Sequence, residues 1–120
     1  MRSFLDLLLA ADPNANVVVL GDINDFELSR TVDIMVGSGA NAIVDLPRML
    51  PPNERYSYVY EGNSQVLDQI LISHALTITP PGAKYPAYDY DIVRTNSELY
   101  DQNSDHDPQV VRLAIRGGIG

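Results

Sequence analysis

The chain has 120 residues, 45% of them hydrophobic, which suits one globular domain and is short for two. Eight basic against 16 acidic residues give a net charge of −8. That balance offers no basic face for gripping a nucleic-acid backbone, and it supplies the carboxylates a hard divalent cation takes. The absence of cysteine excludes disulfides and thiolate metal sites, and no stretch is long and apolar enough to span a membrane. Outside the motifs described below, the acidic charge needs no role beyond solubility.

The opening Met1-Arg2-Ser3-Phe4-Leu5-Asp6-Leu7-Leu8-Leu9-Ala10-Ala11 carries an Asp within its apolar run and no clean A-x-A site. It therefore reads as an amphipathic helix rather than a signal peptide, with Phe4, Leu5, Leu8 and Leu9 on one buried face. A breaker-rich loop follows, and the apolar, β-branched residues 17–20 predict a strand buried on both faces. Residues 26–36 predict a helix starting near Ser29 and stopping at Gly37-Ser38-Gly39, with Leu28, Val32, Met35 and Val36 as its apolar face. Residues 41–46 are ambiguous, and the three prolines within 47–53 predict a loop. Residues 56–60 alternate as a strand, 61–64 form a turn and 65–73 a second buried strand. Further strands are predicted at 88–94 and 109–115. Residues 1–116 make up the domain, and the Gly-rich residues 117–120 are a tail without side chains to order it. The tally of about two helices and about five strands gives an α/β or α+β fold.

Three polar clusters sit beside the predicted strands. In Gly21-Asp22-Ile23-Asn24-Asp25, Asp22 and Asn24 are two apart and in an extended chain would point the same way. The plainer reading is an Asx-rich turn. Asp68 lies inside an apolar strand, where a carboxylate needs an imidazole or cation as partner unless it faces solvent. Asn103-Ser104-Asp105-His106-Asp107-Pro108 precedes the last strand, and its Asp-His pair suits metal ligation or proton transfer. A polar turn before an edge strand would read the same way. His74, at a strand end, reads as a surface histidine.

Taken in order, the three segments resemble the endonuclease/exonuclease/phosphatase superfamily, which includes DNase I-like nucleases, apurinic endonucleases, sphingomyelinases and inositol phosphatases. Gly21-Asp22-Ile23-Asn24 resembles its G-D-F-N motif with Ile for Phe, Leu67-Asp68-Gln69-Ile70 its L-D-x-I strand, and Ser104-Asp105-His106-Asp107-Pro108 its S-D-H-x-P motif. The stretches Leu50-Pro51-Pro52-Asn53-Glu54-Arg55-Tyr56-Ser57-Tyr58 and Gly62-Asn63-Ser64-Gln65-Val66-Leu67-Asp68 are similar to a bacterial, often secreted, nuclease-like branch.

The resemblance implies half of a four-layer α/β/β/α sandwich, DNase I-like, in which this chain is the C-terminal half. The family domain is about twice this length, and its N-terminal half supplies the principal metal-binding Glu. The implied activity is divalent-metal-dependent hydrolysis of a phosphodiester, with nucleic acid as substrate of the full-length parent and the 120 residues inactive alone. A phosphatase or sphingomyelinase-type phosphoesterase is the alternative, and a non-catalytic interaction module the rival outside enzymes. By carry-over, Asp22 orients or deprotonates the attacking water and Asn24 bonds a non-bridging oxygen. His106 donates to the phosphoryl group, and Asp68 pairs with His106. Asp105, with Asp22 and Asn24, serves the metal. Oxygen ligands imply Mg²⁺, with Mn²⁺ or Ca²⁺ as substitutes. Half a sandwich would also expose the apolar inner face of its sheet and invite dimerisation.

Overall fold

The computed structural model describes residues 1–115. The expected tail at 117–120, and residue 116 that closes the expected domain, lie outside them.

Helix α1 (Arg2–Ala11) buries Leu5 and Leu9, one turn apart, against the core. The buried face is narrower than its sequence suggests: Phe4 is 66% exposed. Arg2 pairs with Asp6 at 2.6 Å and also donates to the carbonyls of Met35, Val36 and Asn41. Two of those carbonyls belong to the last turn of α2 (Arg30–Val36), so one guanidinium satisfies orphan acceptors there and ties the helices together. The Ser29 hydroxyl caps α2 by accepting from the Val32 N–H, and Gly37 ends it at φ 73°. Val32 and Met35 are buried. Leu28, expected beside them, precedes the helix and stays exposed.

The central sheet has the order β1-β5-β2 and is antiparallel, from β1 (Val18–Asp22), β5 (Asp68–Ile72) and β2 (Val44–Asp45). Leu71 packs with Leu5, Leu9, Met35 and Ile43 on the helical side. On the other side Ile70 and Ile72 join Leu46 and Leu76, and Tyr88, Tyr90, Val111 and Leu113 close over them. Those four come from the hairpin β6 (Tyr88–Ile92) and β7 (Gln109–Leu113). The described residues thus form a small α/β fold of helices, sheet and a second β layer.

Three expectations need correction. Strand β1 is not buried on both faces; its residues alternate, with Leu20 69% exposed, because it is an edge strand beyond the reach of the β6–β7 hairpin. The strand expected over 65–73 divides. Residues Asn63–Gln65 form β4, which folds back on β3 (Tyr58–Tyr60) through a two-residue turn, and the rest continues as β5. Both turn residues, Glu61 and Gly62, have positive φ, as a type I′ hairpin requires. This raises the described strands to seven, with two α-helices. Finally, the proline-rich loop contains two 3-10 turns, Leu46–Met49 and Pro52–Glu54.

Candidate active site

Asp22 ends β1 and Asp68 begins its antiparallel partner β5, so the ladder places them directly opposite at one end of the sheet. Like charges in such a pair repel. The compensating group is His106, whose Nδ1 lies 2.7 Å from Asp68 Oδ2. The same oxygen accepts a 2.6 Å hydrogen bond from the Ser57 hydroxyl. Ligand atoms of Asp22, Asp68 and His106 all fall within 4.8 Å of one another.

The position of His106 is over-determined. Its backbone bridges Tyr58 as an isolated antiparallel pair, and the next N–H, of Asp107, donates to the Ser57 carbonyl at 2.7 Å. The Asp107 carboxylate is buried and accepts from the N–H groups of Thr95, Asn96 and Ser97 and from the Ser97 hydroxyl. Asn96 returns a side-chain bond to the His106 carbonyl at 2.8 Å. Arg94 stands 3.7 Å from Asp107 and 3.6 Å above the Tyr56 ring. One buried acid therefore clamps the loop that presents the histidine.

Electrostatics follow from these contacts. Burial pulls the His106 imidazole down, but the hydrogen bond and charge of Asp68, with Asp105 and Asp22, outweigh it and hold the pKa above the ordinary histidine value. Burial pushes Asp107 up, but the Ser97 hydroxyl and the three loop N–H groups more than offset it, leaving its carboxyl below the usual range.

The sequence candidates do not all converge. Asn24 is not extended alongside Asp22. It sits at φ 53°, and its N–H donates to Asp22 Oδ1 at 2.9 Å, an Asx turn. Asp105 is exposed, and its carboxylate reaches only to 4.0 Å from His106 Nε2. His74 is exposed, away from the cluster. Ser57 and the clamp role of Asp107 were missed from sequence. Ser57 looked like one more residue of an alternating strand, and nothing local signals that three N–H groups will converge on Asp107.

A cleft of about 430 Å³ opens on the cluster, with Leu20 and Ile70 as apolar wall and Asp22, Asp68, Asn96 and His106 as polar groups. A cation fits this donor set in one manner. Asp68 Oδ2 is committed to Ser57 and His106, while Asp22 is exposed with one oxygen in the Asx turn. Such a site suits an ion that keeps most of its waters and takes one or two carboxylates.

The domain thus gathers two carboxylates and an imidazole at one cleft, an arrangement suited to acid–base or metal-assisted chemistry. The family model described as Endonuclease/Exonuclease/phosphatase family matches residues 1–110, and the chain belongs to that family. No curated protein and no solved structure matches it.

Proposed function

We propose that the Asp22–Asp68–His106 cluster is the hydrolytic centre of a divalent-metal-dependent phosphodiesterase, with nucleic acid as substrate. The observation that carries this reading is the Asp68–His106 pair at the mouth of the cleft, 2.7 Å apart and reinforced by Ser57.

Asp68 accepts from Nδ1 of His106, which fixes the ring and leaves Nε2 as the nitrogen that meets a phosphoryl oxygen. The neighbouring carboxylates raise the His106 pKa and so favour its charged form, which can donate as negative charge grows on that oxygen. Asp22, exposed at the strand end, orients the attacking water. Asn24 completes the turn that holds Asp22, and from there its side chain would help hold the cation and bond a non-bridging oxygen. Asp105, exposed and 4.0 Å from Nε2, would add to metal affinity through water. A divalent cation, when bound, supplies charge neutralisation of the phosphoryl group and an acidified water.

The resemblance implies that the 120 residues are inactive alone; the complete Asp22–Asp68–His106 cluster supports slow turnover instead, held down by the few carboxylate oxygens free for a cation. The test is plasmid nicking in millimolar Mg²⁺ at high protein concentration. The expected result is slow, EDTA-sensitive nicking that disappears in His106→Ala. Nicking that is absent, or unchanged in that variant, would overturn the reading.

A further inference from the structure

A row of aromatic rings runs outward from the candidate active site. The Tyr58 ring is 5.1 Å from the His106 ring, and the Tyr60 ring is 6.2 Å beyond Tyr58 with its plane turned by only 7°. The geometry is set by the short β3–β4 hairpin, in which residues 58 and 60 share one face. Tyr60 is 56% exposed, close to the tip of a hairpin held by a two-residue turn, and it belongs to neither core cluster. An exposed aromatic outside both core clusters, beside a half-buried one that meets His106, is not required by the core.

We propose that Tyr58 and Tyr60 form a stacking platform for an unpaired nucleobase flanking the scissile phosphate; this rests on the phosphodiesterase reading above. Two observations select this occupant. The two rings are stacked with near-parallel planes, and the exposed Tyr60 at the end of the stack offers a π face of the kind on which bases stack in single-stranded nucleic-acid sites. The net charge of −8 leaves phosphate contacts little to contribute, so affinity has to come from the bases. The platform therefore favours single-stranded nucleic acid over a duplex, whose bases are already stacked, and over phosphoesters lacking an aromatic group. Its salt dependence is shallow.

The experiment measures binding by the full chain of a fluorescent eight-nucleotide oligothymidylate in EDTA, against an abasic oligomer of equal length and charge. The expected result is binding of the thymidylate alone. Tyr60→Ala weakens it about 5- to 100-fold, as loss of a base-stacking aromatic does, while Tyr60→Phe retains it. Equal binding of both oligomers, no binding of either, or an unchanged Tyr60→Ala variant overturns the platform. Mg²⁺-dependent nicking lost in His106→Ala would still support the phosphodiesterase reading after such a result. Conversely, thymidylate binding by a chain without His106-dependent nicking would leave the platform standing and remove the hydrolytic role.

Discussion

Asp22 and Asp68 oppose each other across the β1–β5 ladder, and His106 is bonded to the second of them at 2.7 Å. Two carboxylates at adjoining strand ends are a poor choice for stability and a good one for holding positive charge. Much of the expected behaviour of this molecule follows from that pairing.

Asp68→Asn removes the charge that holds the His106 pKa up. The His106 pKa should fall, read from the imidazole carbon-bound protons in an NMR titration. The linkage has a definite sign. A histidine with a raised folded pKa contributes stability that is full below its unfolded pKa, near 6.5, and is lost as pH rises through the folded value. Wild type should therefore lose stability across that window and Asp68→Asn should lose less. An unchanged His106 titration would contradict the pairing.

Asp107→Ala should act at a distance from the phosphate. It strands the N–H groups of residues 95–97 and frees the loop that presents His106. A stability loss of about 1–3 kcal/mol is expected from the unpaired donors, measured by urea denaturation. The Asp107 carboxyl is depressed, so its contribution is present above its unfolded pKa and lost as pH falls through the folded one. A neutral substitution would show that the clamp is unimportant.

Asp45 is a buried carboxylate, 2% exposed, whose oxygens find no hydrogen-bond partner among the described residues; Arg48 Nε stands 3.4 Å away. Burial pushes its pKa up to about 7, against the pull of Arg48. The folded state thus holds a proton that the unfolded chain releases near pH 4, so stability falls as pH rises from about 4 to about 7. Asp45→Asn should flatten that slope and stabilise the protein by roughly 1–3 kcal/mol at pH 8, with little effect at pH 4. Thermal melts across this range would show it, and a variant that is less stable at pH 8 would refute it.

Leu20, 69% exposed, and Val18, 38% exposed, lie on the face of β1 that the β6–β7 hairpin does not reach. Self-association through this strip is expected, read as a concentration-dependent sedimentation coefficient that Leu20→Asp abolishes. A monomer at millimolar concentration would exclude it.

The sequence made the central pair legible for a physical reason. Asp68 is a charge in an apolar run, and such a charge needs a partner. His106 and Asp22 were legible as polar residues beside strands. The burial of β1 was misjudged because an apolar, β-branched run records the side chains of a strand, not whether another layer covers it. Asn24 was misplaced because the two-residue spacing assumed an extended chain, whereas its left-handed φ closes an Asx turn. Ser57 and Asp107 act through partners 11 and 10 to 12 residues away, a relationship that only the folded chain displays.

The most direct test of the site is a Mn²⁺ titration of the isotopically labelled chain followed by amide line broadening. Mn²⁺ stands in for Mg²⁺ at oxygen-rich sites. The account predicts broadening that begins at Asp22, Asn24, Asp68 and His106 and is lost in Asp22→Asn. Broadening that begins elsewhere, or that survives this substitution unchanged, would contradict it.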